Sequence, residues 1–252
     1  MAASVVLVTG GNRGIGYEIV KALVESQLPY HVFLASRDVG KGKEAAASLK
    51  PRSGSSISVV QLDVSSPESI ANAVAAVKAE SGRLDVLVNN AGISDQSPDL
   101  LERFRKDLEV NTIAPYAVTL AFKPLLFVQP RDGGVKDKRI VYVSSGLGSI
   151  GERLNPQGRF YNSPTPTYRI SKAAVNMMAM CDGVELRHQG VKVFAFDPEF
   201  VATGIYATPD ELRKMGALEP HLSGESCRDI IEGKRDADMQ KLVSINGAEW
   251  PW

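Results

Sequence analysis

The chain has 252 residues, of which 44% are hydrophobic and 23% are charged, and its 29 Lys and Arg residues balance its 29 Asp and Glu residues. This neutral, mixed composition is typical of a globular protein and gives no indication of a nucleic-acid or membrane partner. The length is that of one domain over residues 1–252, and no apolar segment reaches the roughly 18 residues that a membrane-spanning helix needs.

Short segments rich in β-branched and apolar residues recur along the chain. They predict seven strands, at residues 4–8, 30–35, 57–62, 84–89, 139–144, 191–196 and 241–245. Segments with helical periodicity lie between them, among them residues 15–27, 69–80 and 171–187. The alternation predicts an α/β protein with a Rossmann-like, doubly wound architecture, in which helices cover both faces of a seven-stranded parallel sheet.

Two segments, at about 146–167 and 199–223, fit neither periodicity. In open α/β sheets the ligand binds beyond the carboxyl ends of the strands, where such irregular segments gather. We therefore expect the first to be a substrate-binding insertion and the second a substrate loop. Their large side chains indicate an apolar or aromatic small-molecule substrate, and these are Phe160, Tyr161, Tyr206, Met215 and Leu218.

The first predicted strand runs into TGGNRGIG, residues 9–16, which has four glycines in eight positions. After the strand the chain must turn sharply, approach a ligand closely and enter a helix whose N-terminus carries partial positive charge. Gly10, Gly14 and Gly16 suit these three requirements. The loop predicts a cradle for a phosphate group, with a purely structural turn as the alternative when the loop is considered alone.

Three further motifs follow in chain order: Asn-Asn-Ala-Gly at 89–92, Ser-Ser at 144–145 and Tyr-x-x-x-Lys at 168–172. Together with Thr-Gly-x-x-x-Gly-x-Gly at 9–16, they make almost the whole chain resemble the short-chain dehydrogenase/reductase family, and within it the carbonyl-reductase-like branch. The resemblance implies a nicotinamide dinucleotide cofactor. The residues it assigns to the cofactor are Gly10, Asn12, Arg13, Gly14, Ile15, Gly16, Arg37, Asp63, Val64, Asn90, Ala91, Gly92, Tyr168, Lys172, Pro198, Val201 and Thr203. For Asp63, adenine contact and a plain turn aspartate are both open.

The charge at the end of the second predicted strand indicates which nicotinamide cofactor is bound. NAD enzymes of this fold usually have an acidic residue there, which binds the ribose 2′-hydroxyl and repels a 2′-phosphate. This chain has Ser36 followed by Arg37, while Asn12 and Arg13 lie in the glycine loop. These donors and cations suit a 2′-phosphate, so NADPH/NADP is the expected cofactor. Asp38 is the exception, and we expect it to cap the helix that begins there.

Tyr168 and Lys172 are four residues apart on a predicted helix and therefore lie on one face. A phenol with its usual pKa of about 10 is a poor proton donor at neutral pH, and a neighbouring lysine cation favours the phenolate. The pair predicts a general acid for a carbonyl oxygen whose carbon receives hydride. The resemblance implies that Ser145 hydrogen-bonds that oxygen and that Asn111 orients a water linking Lys172 to solvent. Strand alternation lets only one of Ser144 and Ser145 face the site, and the family pattern favours Ser145.

The spacing between Ser145 and Tyr168 departs from the family pattern. It is 23 positions, longer than in many members. In the carbonyl-reductase branch such an insertion can block a dimer face, so monomer, dimer and tetramer are all open. The candidates to line the mouth of the site are Arg153, Arg159, Phe160 and Tyr161.

A second departure is Asp197-Pro198-Glu199, where the family normally has Pro-Gly. If the Glu199 carboxylate faces the nicotinamide, it affects catalysis, since a unit charge pair at about 4 Å is worth on the order of 4 kcal/mol at an effective dielectric of about 20. It would also favour a cationic substrate. The alternative is that Glu199 points to solvent and replaces a glycine in an unstrained turn.

These residues predict an NADPH-dependent reductase of a ketone or aldehyde, with Asn111, Ser145, Tyr168, Lys172 and Glu199 as the candidate catalytic residues. One alternative is an iminium reductase of alkaloid or other secondary metabolism, with or without a coupled Diels-Alder-type cyclisation. Another is a non-catalytic dinucleotide-binding regulator.

The two cysteines, Cys181 and Cys227, lack partners at metal-ligand spacing. Both are expected to be reduced residues with a packing role, and no metal site is predicted. The first predicted strand begins at residue 4, which leaves no room for a cleavable signal segment. We therefore expect a cytoplasmic location.

Overall fold

A computed structural model describes residues 2–128 and 137–252, and a central sheet of eight strands organises them. The strands are β1 Ser4–Thr9, β2 Tyr30–Ser36, β3 Ser56–Gln61, β4 Val86–Asn89, β5 Lys138–Val143, β6 Val191–Asp197, β7 Leu242–Ser244 and β8 Glu249–Trp250. Their order across the sheet is β3-β2-β1-β4-β5-β6-β7-β8. Strands β1 to β7 are parallel, which confirms the predicted fold class.

Strand β8 corrects the prediction of seven parallel strands. It pairs antiparallel with β7, with Trp250 opposite Leu242 and Glu249 opposite Val243. Two residues are too short to show the alternation by which a strand is predicted. The sheet therefore has an antiparallel edge that the sequence pattern did not indicate.

Helices cover both faces of this sheet. They are α1 Gly14–Val24, α2 Val39–Ser48, α3 Pro67–Ser81, α4 Leu100–Leu108, α5 Ala114–Leu126, α6 Ile150–Leu154, α7 Pro166–Glu185, α8 Pro209–Lys214 and α9 Pro220–Ile231. A π-helical turn, Glu109–Ile113, joins α4 to α5. In the described ranges, no helix has both the length and the apolar character needed to cross a bilayer.

The apolar residues of the strands alternate between two cores, one on each face of the sheet. Leu7 belongs to the core beneath α3, α5 and α7, whereas Val6 and Val8 belong to the core beneath α1, α2 and α9. Cys227 is buried in the second core, but Cys181 is exposed on α7. The expected packing role is thus correct for Cys227 and wrong for Cys181, because α7 presents part of its surface to solvent.

Capping residues fix where two of the helices begin. The Asp38 side chain accepts a hydrogen bond from the Lys41 amide at 3.1 Å, so Asp38 caps α2 as predicted. The Ser66 side chain accepts one from the Ser69 amide at 3.2 Å, and Pro67 occupies the first position of α3. Capping hydroxyls and carboxylates satisfy amides that the helix itself leaves unpaired.

The strand order reverses next to β1, which pairs with β2 on one side and with β4 on the other. Connections leaving adjacent strands in opposite directions open a crevice at the carboxyl edge of a parallel sheet. The glycine loop follows β1, the Asn-Asn-Ala-Gly motif ends β4, and Ser144 follows β5. The fold therefore brings three of the predicted motifs to this crevice.

Candidate active site

A cavity of about 450 Å³ lies at the carboxyl edge of the central strands. Every residue that the sequence analysis assigned to the cofactor lines it, with the exception of Val201. Val201 is buried and forms an isolated bridge with Leu218, so it supports the wall instead of facing the cavity. Thr203, two positions later, does line the cavity.

The backbone of the glycine loop requires glycine at three positions. Gly10 and Gly14 have φ angles of 65° and 56°, in the left-handed region. A Cβ atom on Gly16 would lie 2.3 Å from the Gly10 carbonyl oxygen and 2.5 Å from Asn90 Nδ2. Helix α1 can therefore approach the end of β1 only because residue 16 has no side chain.

Within residues 2–128 and 137–252, no side chain caps the N-terminus of α1. The residue before it, Arg13, makes no side-chain capping bond, and the first turn has no acidic residue. The amides of this turn and its partial positive charge thus face the cavity without a protein acceptor among the described residues. This arrangement fits a pyrophosphate group and supports the predicted cradle.

Thr9 and Asn90 hold the ends of β1 and β4 together. The Thr9 hydroxyl oxygen accepts hydrogen bonds from the amides of Asn90 and Ala91, both at 2.9 Å. Asn90 Nδ2 in turn donates to the Thr9 carbonyl at 2.8 Å. Asn89 points the other way and donates to Thr119 Oγ1 in the core at 2.8 Å. The Asn-Asn-Ala-Gly motif therefore fixes the shape of the glycine loop.

Three cations line the end of the site beyond β2. Arg13, Arg37 and Lys41 contact the main cavity, and Arg13 and Lys41 also line a second cavity of about 470 Å³ beside it. Lys41 was not predicted from the sequence, although its position in the first turn of the capped helix α2 was an available signal. Asp38 lines the same cavity while capping α2. Asp63 lines the cavity and also accepts the Ser65 amide at 3.0 Å, so both of its proposed roles fit its position.

Tyr168 and Lys172 both face the cavity from α7. Lys172 Nζ lies 5.6 Å from the centroid of the Tyr168 ring and donates to the Val143 carbonyl at 2.9 Å. The predicted juxtaposition on one helix face is therefore present.

Burial decides the protonation of both groups. It raises the pKa of Tyr168, and the nearby Asp197 and Asp107 carboxylates raise it further, while a hydrogen bond with Ser145 lowers it. Burial also lowers the pKa of Lys172 to about 8, against the opposing influence of Asp197 and Asp107. Burial is the largest influence on the phenol, which therefore keeps its proton at neutral pH, as a proton donor requires. That the lysine cation favours the phenolate stays a prediction.

The two serines after β5 point in opposite directions. Ser145 is hydrogen-bonded to Tyr168 and also accepts the Leu147 amide at 3.2 Å. Ser144 lines the main cavity, although Ser145 does not, and Ser144 Oγ donates to Asn176 Oδ1. The side chain beside the tyrosine is therefore that of Ser145, the serine that the sequence analysis favoured.

Asn111 lies in the π-helical turn behind Gly92. Its Oδ1 accepts the Ile93 amide at 2.8 Å, and its Nδ2 donates to the Ile93 carbonyl at 2.9 Å and to Ser171 Oγ at 3.0 Å. A Cβ on Gly92 would lie 3.1 Å from Asn111 Oδ1 and 3.6 Å from Lys172 Nζ. Asn111 is thus close to the lysine but holds the chain after β4, and its role in orienting a water stays a prediction.

Two alternatives were open for Glu199, a carboxylate facing the nicotinamide or a solvent-facing residue in an unstrained turn, and the structure matches neither fully. Its φ angle is 64°, so the turn is left-handed and the expectation of an unstrained turn is wrong. Its side chain is only 6% exposed and forms an ion pair with Arg159, which corrects the expectation that it points to solvent. Glu199 is not among the residues that line the main cavity. The pair links the insertion at 146–167 to the segment at 199–223.

None of the other predicted substrate-wall residues lines the main cavity. Phe160 packs against Trp250, with ring centroids 5.3 Å apart, and Arg153 lies over the Tyr161 ring at 6.0 Å. Tyr206 and Met215 are exposed. The contact of Trp250 with Phe160 was not predicted from the sequence.

Comparisons with known proteins agree with this geometry. The family model for short chain dehydrogenase matches residues 4–213. The short-chain dehydrogenase/reductase tropE of Talaromyces stipitatus is 33% identical to this chain, with 98% of this chain and 97% of that protein covered. The short-chain dehydrogenase/reductase eupG of a Phoma species is 34% identical, with the same coverage. Among solved structures, an NADPH-bound carbonyl reductase from chicken fatty liver has a TM-score of 0.84 and 28% identity, with both chains fully covered.

Proposed function

The chain belongs to the short-chain dehydrogenase/reductase family of oxidoreductases, which bind a nicotinamide dinucleotide, and on this basis we propose that it is an NADPH-dependent reductase of a ketone or aldehyde. The observation that carries the proposal is the pairing of a protonated Tyr168, bonded to Ser145, with a cavity whose far end is cationic. The first feature suits the reduction of a carbonyl group. The second suits a 2′-phosphate.

The choice of NADPH rests on charge at the β2 end of the cavity. Arg13, Arg37 and Lys41 supply three cations there, and guanidinium groups bind phosphate oxygens with two parallel hydrogen bonds. Asp38, the acidic residue in the same place, already accepts the Lys41 amide. The chicken carbonyl reductase was solved with NADPH bound, which supports the same choice.

When bound, the reduced nicotinamide supplies the hydride for the substrate carbon. The Tyr168 phenol donates a proton to the carbonyl oxygen, and its raised pKa keeps that proton available across the neutral range. Ser145, already hydrogen-bonded to Tyr168, holds the oxygen beside the phenol. The Lys172 ammonium favours the tyrosinate that remains once the proton has moved, because opposite charges attract strongly in a buried site.

The Glu199 ion pair supports a neutral substrate over a cationic one. A free carboxylate at the mouth would favour an iminium ion, but this carboxylate is paired with Arg159. The neutralised pair leaves no net negative charge to attract a cation, so we favour a carbonyl substrate over an iminium ion. The apolar and aromatic walls indicate a hydrophobic small molecule.

The experiment is a comparison of Tyr168→Phe with wild type on a panel of ketones, aldehydes and cyclic iminium salts, with NADPH oxidation followed by absorbance. We expect carbonyl reduction to fall by about 10²- to 10⁴-fold, the range for loss of a general acid. Tyr116→Phe, which alters an exposed tyrosine on α5, is the matched control. If Tyr168→Phe retained carbonyl reduction, or if wild type reduced only iminium salts, the proposal would be wrong.

A further inference from the structure

Asp197, the last residue of β6, is only 1% exposed and receives three hydrogen bonds from three separate segments. Oδ1 accepts the Glu199 amide at 2.9 Å, and Oδ2 accepts the Trp250 indole N–H at 2.6 Å. The Gly146 amide is the third donor. A buried carboxylate needs such donors, because burial without them is strongly unfavourable.

We propose that Asp197 and Trp250 are positioning residues, which hold Ser145 on one side of the site and Pro198 on the other. The proposal rests on the reductase function proposed above. The Trp250 indole holds the Asp197 carboxylate in place. This carboxylate in turn holds the backbone at Gly146 and the backbone of the bend at 197–199.

The first link runs from Asp197 to Ser145. Gly146, next to Ser145, is packed so closely that a Cβ there would lie 2.5 Å from Phe160, 2.9 Å from Asp197 Oδ2 and 3.1 Å from Trp250. Three side chains therefore define where the Gly146 backbone lies. Because Ser145 precedes it directly, the position of the Ser145 hydroxyl depends on the same contacts.

The second link runs from Asp197 to the wall of the cofactor cavity. The bond to the Glu199 amide closes the bend at 197–199, in which Glu199 takes a left-handed conformation that is unfavourable for a side chain other than glycine. Pro198, in the middle of this bend, lines the cavity. The carboxylate thus stabilises the bend that places Pro198 there.

Trp250 is itself held in place at both ends. Its backbone pairs with Leu242 of β7, and its ring packs on Phe160. The two residues that follow bind the start of α6: the Pro251 carbonyl accepts the Ser149 hydroxyl, and the Trp252 carbonyl accepts the Gly151 amide at 3.0 Å. A fixed indole can hold a carboxylate in one position.

Asp197 also influences the charged groups that face it. Lys172 and Tyr168 face it from α7, and Glu199, paired with Arg159, faces it from its own bend. Burial raises the pKa of Asp197 to about 6, although the bonds from Glu199, Gly146 and Trp250 oppose the rise. Asp197 accepts these hydrogen bonds as the ionised carboxylate, so we expect kcat to fall as the pH decreases through about 6. We call this fall the acid limb of the pH profile. Loss of the indole donor raises this pKa and moves the limb to higher pH.

The test compares Trp250→Phe and Asp197→Asn with Trp252→Phe, whose ring is 47% exposed. We expect kcat to fall about tenfold or more in the first two, since small displacements of reacting groups have effects of this size. NADPH affinity should fall less than kcat, because Pro198 is one of many residues that line the cofactor cavity. The acid limb should move up by about one to two pH units in Trp250→Phe and disappear in Asp197→Asn. Trp252→Phe should behave as wild type.

A second measurement does not depend on turnover or on a folded variant. The chain has two tryptophans, so a ¹H–¹⁵N spectrum of wild type contains two indole signals. One should titrate near pH 6 and exchange slowly with solvent. Two pH-independent, rapidly exchanging indole signals would overturn the proposal, as would an active wild type whose kcat and pH profile survive Trp250→Phe and Asp197→Asn. A wild type that reduces no carbonyl compound overturns the reductase proposal instead.

Discussion

Glu199 affects the stability of the fold in two opposing ways: its ion pair is favourable, and its left-handed backbone conformation is unfavourable. Two substitutions separate these effects. Glu199→Gln removes the charge of the ion pair with Arg159 and keeps the side chain in the bend. Glu199→Gly removes the pair as well, but it also relieves the backbone, since φ is 64°.

The magnitudes follow from exposure and conformation. Arg159 is 47% exposed, so loss of the pair costs about 0.5–1 kcal/mol of unfolding free energy once solvent screening is included. Relief of a left-handed residue contributes about 1–2 kcal/mol, and the extra freedom of glycine in the unfolded chain costs about 0.4–1 kcal/mol. We therefore expect Glu199→Gln to be destabilised by about 0.5–1 kcal/mol and Glu199→Gly to be within about 1 kcal/mol of wild type.

Urea unfolding of wild type, both variants and Arg159→Gln measures these differences, and Arg159→Gln combined with Glu199→Gln completes a double-mutant cycle. The cycle should return a coupling of about 0.5–1 kcal/mol. If Glu199→Gly were less stable than Glu199→Gln by more than about 1 kcal/mol, the left-handed bend would not be the strained feature that we describe. A coupling of zero would refute the contribution of the ion pair.

Three further outcomes test the cofactor and proton-transfer sites. Gly16→Ala should abolish saturable NADPH binding, measured by fluorescence titration, because its Cβ would lie 2.3 Å from the Gly10 carbonyl oxygen; binding at wild-type affinity would contradict the cradle. Lys41→Ala should weaken NADPH but not NADH, and equal weakening of both in calorimetry would exclude a 2′-phosphate contact. Carbonyl reduction should decline as pH rises through about 8, because Lys172 then loses its proton; a constant kcat/KM from pH 7 to 10 would contradict this.

The fold could be predicted because its information is local. Each parallel strand is a continuous apolar segment, and residues such as Ser66 and Asp38 mark helix starts by capping them. Strand β8 has two residues and depends on pairing with β7, so no local pattern indicates it.

The candidate site could be predicted where a motif demands a particular backbone, as in the glycine loop. The contact between Asp197 and Trp250 joins residues 53 positions apart, and the ion pair of Arg159 with Glu199 joins residues 40 apart. Neither has a local signature. The raised pKa of Tyr168 has no local signature either, because burial, its largest cause, depends on how α7 packs.

The strand order separates two tasks in space. Arg37 and Lys41, which we propose select the cofactor, follow β2, whereas Ser145 follows β5, and β1 and β4 lie between them. Three spacings between neighbouring strands amount to roughly 14 Å, beyond the distance at which the effects of two substitutions normally interact. An engineer could therefore exchange Arg37 and Lys41 to alter the proposed cofactor preference, redesign the substrate side of the site in a separate campaign, and combine the two sets with nearly additive results.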